Sequence, residues 1–333
     1  MAPTLIRRHF FATAAGIATM ALLTACGSGS AGGGGGDTVR FGYIGDFNGA
    51  GLIAIADAKG LWKKHGLKAE SRVFTNGPLQ IQALGTDNLD FGYIGPGAMW
   101  LPASGKAEVI AFNTLGNSDR VIAQPGINSM QELKGKTVAV PEGTSGDMIL
   151  SLALKKAGMT KSDIKAVPMD PSTIVAAVSS KKVDAAGFWY PAAATIKKQV
   201  PGLVELAKNS DFKDEVSFPT AFVAGNKLVK EQPDKVKKVL AVLREAMDFR
   251  SEHTDEAIEL TAAKLKIPVD QVKADAANNK LLDVAELDAL TKDGTAEKWL
   301  KGMNDYFVEA GKLKRPVDPK SYYTGDLFME AGK

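Results

Sequence analysis

Asp90-Phe91-Gly92-Tyr93-Ile94-Gly95-Pro96-Gly97 runs from a short apolar β-like stretch straight into a glycine and proline cluster, and Ala98 to Ala103 then reads as a short helix. A strand that ends in a tight junction and feeds a helix is the repeating unit of an α/β protein with parallel strands. The same unit recurs upstream. Thr38 to Ile44 reads as a strand, Leu52 to Lys64 as a helix closing at Gly66, and Leu67 to Phe74 as a strand with period-two alternation. Pro78 stands where a helix's first residue belongs, and that helix runs to Leu84 and stops at Gly85.

Downstream, Val109 to Phe112 is a further strand, and a second series begins at Arg120. Ser129 and Glu132 have capping-box spacing, Thr137 to Val140 is a strand, and Gly146 to Ala157 is an amphipathic helix that ends at Gly158. Val183 to Phe188 is another strand, followed by Pro191 in a helix's first turn. Beyond Phe222 the pattern is mostly helical. Val236, Val239, Leu240, Leu243 and Met247 form one apolar stripe, and Trp299, Met303, Tyr306 and Ala310 form another; both read as core packing.

The only cysteine among 333 residues is Cys26, in Leu23-Thr24-Ala25-Cys26. Before it lie Arg7 and Arg8 and then an apolar or small-residue stretch from Phe10 to Leu23, which is the anatomy of a secretory signal covering residues 1–25. Removing that segment takes away two arginines and no acids, so the formal charge falls from +3 to +1. A near-neutral, well-mixed chain without a basic, aromatic-interleaved run gives no footing for nucleic acid. Residues 26–37 are almost all glycine and serine after the cysteine, a flexible tether reaching about 15–20 Å. The 308 residues left after cleavage exceed what one core usually serves, so two lobes are expected. With no second cysteine, packing alone must hold them.

Enzymatic and metal motifs fail on inspection. Gly135-Lys136-Thr137 looks like the end of a phosphate loop, but Met130 stands where its first glycine belongs. Gly143-Thr144-Ser145-Gly146-Asp147 misses the nucleophile elbow at Asp147. After cleavage only His65 and His253 remain, far apart in sequence, so neither a metal nor a cofactor is expected. What recurs instead is a junction rich in glycine, proline or hydroxyls between strand and helix: Asn76-Gly77-Pro78, Gly95-Pro96-Gly97, Gly143-Thr144-Ser145-Gly146 and Trp189-Tyr190-Pro191. In parallel sheets such junctions share the carboxyl rim of the strands, where ligands bind. Each helix start offers unpaired N–H groups and about half a positive charge, so several together make a receptor for an anion. Each one alone also serves as a plain tight turn.

Leu-Thr-Ala-Cys resembles the lipobox of bacterial lipoproteins, which implies acylation of Cys26 and a chain anchored on the extracytoplasmic face of the cell membrane. Arg7-Arg8-His9-Phe10-Phe11 partly resembles a twin-arginine export signal. The body of the chain resembles the solute-binding proteins of nitrate, sulfonate and taurine ABC importers, most closely the taurine-binding type. The matching stretches include Ala56-Asp57-Ala58-Lys59-Gly60-Leu61-Trp62, Phe74 to Gly77, Asp90 through Gly95, Leu115-Gly116-Asn117-Ser118, Leu133 to Pro141, Val183-Asp184-Ala185, Trp189 to Pro191 and Pro219-Thr220. The resemblance implies a two-lobed periplasmic-binding-protein fold of type II, each lobe a mostly parallel sheet flanked by helices, with lobe one at 38–119 plus 221–333 and lobe two at 120–220. It implies crossover strands near Ser118 to Val121 and Pro219 to Val223, a small solute clamped between the lobes, and permease and ATPase partners for a monomeric receptor.

The residues expected at the solute are Asp46, Asn48, Gly77, Gly95, Pro96, Thr144, Ser145, Asp147, Trp189, Tyr190 and Phe222. A sulfonate or taurine-like solute is the leading expectation. Against a bare sulfonate, this chain has Pro96 and Gly97 where the family pattern has serines, and a carboxylate at Asp147; Phe222 also replaces an acidic residue. Asp46, Asp147, Trp100, Trp189, Tyr190 and Phe222 therefore leave open an amine, guanidinium or zwitterion, although Asp147 serves equally as a helix cap and Trp189 as packing. The wider family also resembles pyrimidine synthases of thiamine biosynthesis, whose histidine and cysteine chemistry this chain lacks. A ligand sensor is the third alternative. The reading is of a binding protein, not an enzyme.

Overall fold

The computed structural model describes residues 37–332, so the expected leader, Cys26 and the glycines up to Gly36 lie outside the described residues. In chain order the strands are β1 Asp37–Ile44, β2 Leu67–Phe74, β3 Phe91–Ile94, β4 Glu108–Leu115, β5 Asp119–Ala123 and β6 Thr137–Val140. They continue with β7 Lys165–Pro168, β8 Ala185–Trp189, β9 Val204–Lys208, β10 Pro219–Ala224 and β11 Lys280–Leu281. They make two sheets, β11-β4-β10-β3-β1-β2 and β7-β6-β8-β5-β9.

Most strands of each sheet run in one direction, β1, β2, β3 and β4 in the first and β6, β7, β8 and β9 in the second. Parallel pairing joins β1 to β2 and β3 in the first sheet, and β6 to β7 and β8 in the second. Against that direction run β5 and β10, the strands that follow the two points where the chain changes sheet, and the two-residue β11. β4 closes its run in the first sheet, Gly116–Ser118 leads across, and β5 enters the second sheet antiparallel to β8 and β9. The return puts β10 into a slot between β3 and β4, antiparallel to both. Asp119–Ala123 and Pro219–Ala224 are thus full strands of opposite sheets, and the crossing segments are the short stretches that precede them.

Local sequence explains the elements that carry the site. β2 buries Leu67 and exposes Lys68, Glu70 and Arg72, so its free edge is lined with charge. The expected helix Leu52 to Lys64 is two helices, Phe47–Ala58 and Leu61–Lys64, because Gly60 adopts φ +67, where a left-handed residue ends one helix before the next begins. The first of these is buried almost throughout and starts five residues earlier than the apolar pattern suggested, at the cap supplied by Asp46. Helix Ser145–Lys156 lies directly on β8, since a β-carbon at Gly187 would stand 2.1 Å from the carbonyl oxygen of Gly146. In helix Pro233–Glu252 the stripe Val236, Val239, Leu240, Leu243 and Met247 is fully buried against the first sheet's core. Of the later stripe Met303 is buried in helix Thr295–Glu309, whereas Ala310 is exposed at its end. No helix among the described residues is long and apolar enough to cross a membrane.

Candidate functional site

β1 ends at Ile44, and two residues later Asp46 caps helix Phe47–Ala58, its Oδ1 accepting from Gly49 N at 2.6 Å. The same helix end takes a second carboxylate: Asp275, at the end of helix Val269–Ala276, accepts from Phe47 N at 2.7 Å. Asn76 caps helix Gly77–Gly85 by accepting from Leu79 N at 3.0 Å. β3 ends in Gly95 and Pro96, and β6 leads into Thr144 and Ser145 at the start of helix Ser145–Lys156. β8 ends at Trp189 and Tyr190, ahead of helix Ala192–Gln199.

These five strand-to-helix junctions close round one cavity of about 40 Å³. Three of them come from the first sheet and two from the second. Asp46, Asn48, Asn76, Gly77, Gly95, Pro96, Thr144, Ser145, Trp189 and Tyr190 line it. The crossing segments and the C-terminal region add Gly116, Ser118, Asp119, Thr220 and Asn279, and Ile44, Tyr93 and Ala98 complete the wall. The two lobes meet at its rim, where a β-carbon on Gly97 would overlap the Thr144 backbone.

Among the described residues, no lysine, arginine or histidine lines the cavity, whereas two aspartates do. A third, Asp275, is fully buried behind them and accepts from Ser118 Oγ at 2.9 Å, while Asn279 donates to the same Ser118 oxygen at 2.9 Å. Burial pushes the Asp46 carboxyl well above the usual carboxylate range, with repulsion from Asp275 adding to it. Burial likewise lifts Asp275, to about 6, against the pull of its hydrogen bonds from Phe47, Ser118 and Asn279. Asp119 is raised by burial too, partly offset by hydrogen bonds from Ser145 and Asn209 and by the charge of Arg120. The Arg120 guanidinium does not bond to the Asp119 carboxylate. It donates to the carbonyls of Asn117 and Asp119 at 2.6 and 2.8 Å, to Asn278 Oδ1 at 2.7 Å and to Glu205 at 3.2 Å.

Asp147 and Phe222, two of the residues expected at the site, do not line this cavity. Asp147 takes Gly143 N at 2.9 Å and pairs with Lys161, which turns its carboxylate outward to a separate hollow beside Tyr306. Phe222 follows Thr220 by two residues on β10 and is fully buried against Tyr93 and Phe41 at 5.7 and 5.8 Å. Trp100 also stays outside, packed beside Gly143. Sequence reasoning missed Tyr93, Asp119 and Asn279 as lining residues and Asp275 behind them. Asp119 carried a signal in its place beside a crossing segment; Asp275, in helix Val269–Ala276, and Asn279, in the turn that follows it, are brought in from far along the chain and carried none.

Two mixed α/β sheets joined by two crossings, with the strand-to-helix junctions of both facing a shared cavity, define the periplasmic-binding-protein architecture. The chain belongs to the NMT1/THI5-like family, whose match covers residues 47–257. It is 57% identical to a putative binding protein of Brucella abortus over 290 residues, which is 87% of this chain and 91% of the relative. It is 24% identical to the taurine-binding periplasmic protein of Escherichia coli, over 80% of this chain and 86% of that one. Among solved structures, the alkanesulfonate-binding protein SsuA of Xanthomonas axonopodis superposes with a TM-score of 0.68 at 19% identity, over 86% of this chain and 98% of that chain.

Proposed function

We propose that this chain is the extracytoplasmic solute-binding component of an ABC importer, a receptor rather than an enzyme, held on the membrane surface through acylated Cys26. The observation that carries the reading is the convergence of junctions from both sheets on one cavity. A solute touching both sheets binds the shut form better than the open one, so capture draws the lobes together and presents a distinct shape to a permease and its ATPase. Relatives and neighbours named for taurine and alkanesulfonates support a small polar solute of that kind. The aspartates of the cavity favour a second reading, in which the solute bears a cationic group. The lobe boundaries expected at 38–119 with 221–333 and at 120–220 move by one or two residues in our assignment, to 38–118 with 219–333 and 119–218, because Asp119 opens β5 of the second sheet and Pro219 opens β10 of the first.

The receptor reading is tested by thermal shift against a panel of small solutes, with uptake measured in cells lacking the gene. One class of solute should raise the melting temperature and lose uptake in the deletion strain. A panel of sulfonates, amines, amino acids and sugars without a single response defeats it. Replacing Cys26 with serine should move the protein to the soluble fraction, and unchanged membrane association removes the anchor from the proposal.

A further inference from the structure

The cavity carries charge of one sign. Asp46 comes from the first sheet's junction and Asp119 from the first residue of β5 in the second sheet, so the two carboxylates approach a solute from opposite lobes. Asp46 accepts from the backbone at Gly49, on Oδ1, and at Asn48, and Asp119 accepts from Ser145 and, on Oδ2 at 2.7 Å, from Asn209; two oxygens with about four lone-pair sites leave each carboxylate room for a further donor.

A second observation marks a place for a donor. Asn48 lines the cavity and is 5% exposed, yet its side-chain oxygen is buried without a protein partner. A buried acceptor left unpaired is costly, so a solute N–H fits there. Four N–H groups at the junctions around the cavity are already engaged by the protein's own acceptors. Phe47 N and Gly49 N go to Asp275 and Asp46, Leu79 N goes to Asn76, and Gly143 N goes to Asp147.

Size narrows the class further. A cavity of about 40 Å³ gives room for roughly three or four water-sized groups. Among the described residues, no three His, Cys, Asp or Glu side chains are close enough to hold a metal ion, so the geometry suits a cation that brings its own N–H donors. Trp189 and Tyr190 add aromatic wall to the same space, and a planar cation stacks well on such rings.

We propose that the solute is a compact organic cation of the guanidinium or amidinium class, held between Asp46 and Asp119 with a further N–H given to Asn48. This rests on the reading of the chain as a solute receptor. A cation bridging the two carboxylates neutralises both lobes at once and draws them together, whereas a bare sulfonate meets two like charges. The buried carboxylates are each raised by desolvation; Arg120 offsets this in part for Asp119, whereas Asp46 has only acidic neighbours and gains its counter-charge from the solute.

Titration calorimetry of the mature chain with guanidinium, methylguanidinium and acetamidinium at micromolar to low millimolar concentration, beside taurine, methanesulfonate and nitrate, tests the class. Saturable binding is expected for the first group only. Asp46→Asn, which keeps a good helix cap, and Asp119→Asn should each weaken it by about tenfold or more, with circular dichroism and melting curves confirming the fold. Tight binding of taurine or an alkanesulfonate with none of the cations overturns the cation class and leaves the receptor reading standing. Cation binding unchanged in both variants overturns the assignment of the carboxylates. A silent response to these and to a broad solute panel removes both readings together.

Discussion

The carbonyl oxygen of Thr144 lies 2.1 Å from the point where a β-carbon at Gly97 would stand. Residue 97 belongs to the junction after β3 and residue 144 to the junction after β6, so one missing methyl group lets the two lobes touch at the rim of the cavity. Gly97→Val should hold the lobes apart while sparing both cores. Solute affinity is expected to drop by at least about tenfold with the unliganded melting temperature little changed. Affinity equal to the parent's would show that this contact plays no part in closure.

Asp275 predicts how stability depends on pH. Burial holds its folded pKa at about 6, above the ordinary aspartate value, and the charge of Asp119 adds a smaller push in the same direction. An acid raised on folding contributes stability fully below its unfolded pKa and loses it as pH rises through the folded value, here between about pH 4 and 6, by on the order of 3 kcal/mol. Melting scans of the unliganded protein should therefore rise as pH is lowered from 7.5 to 5, and Asp275→Asn should flatten that slope. Identical slopes in parent and variant would take Asp275 out of the account.

Phe222 and Trp189 separate core from cavity. Phe222 is fully buried between Phe41 and Tyr93, so Phe222→Ala should cost about 3–5 kcal/mol in urea denaturation. Trp189 is half-buried at the cavity wall, and Trp189→Ala should cost less stability and more affinity. The reverse order of effects would return Trp189 to packing.

Arg250 is fully buried, and its donors go to Asn113 Oδ1 at 2.6 Å, Asn113 O at 3.3 Å and Leu282 O at 2.9 Å rather than to a carboxylate. Asn113 in turn donates to the backbone carbonyl of Asn48 at 2.7 Å, which ties helix Pro233–Glu252 to the cavity wall. Arg250→Ala strands those acceptors and should destabilise the chain by about 3 kcal/mol or more. Solute affinity should fall as well, because Asn48 loses its anchor. A melting temperature within a degree of the parent's would contradict this.

Much of the frame was legible because its signals are local. Leu67–Phe74 reads as a strand because Leu67, Ala69 and Ser71 alternate with charged residues, and the structure returns the same bounds. The junctions at Asn76, Gly95, Thr144 and Trp189 announced themselves through residue types that suit sharp turns, and all four reach the cavity. Gly60 was passed over because a single glycine inside an apolar period is tolerated, whereas its left-handed backbone here splits the helix. Phe222 misled because Thr220, two residues before it on β10, touches the cavity whereas Phe222 itself packs in the core against Phe41 and Tyr93. Asp275 was beyond reach: its partner Phe47 stands 228 residues away, and no periodicity links positions that far apart.

The slot that β10 fills has a consequence for how the molecule is made. β1 to β4 leave the ribosome first, yet β3 and β4 do not pair with each other; each waits for Pro219–Ala224, about a hundred residues later, to come between them. The whole second sheet is synthesised in that interval and can finish folding. Until the wedge arrives, the β2-β1-β3 set with a bare edge and an unpaired β4 coexist in a nascent chain, and the stretch from Phe91 to Leu115 is where wrong partners have the longest opportunity to attach.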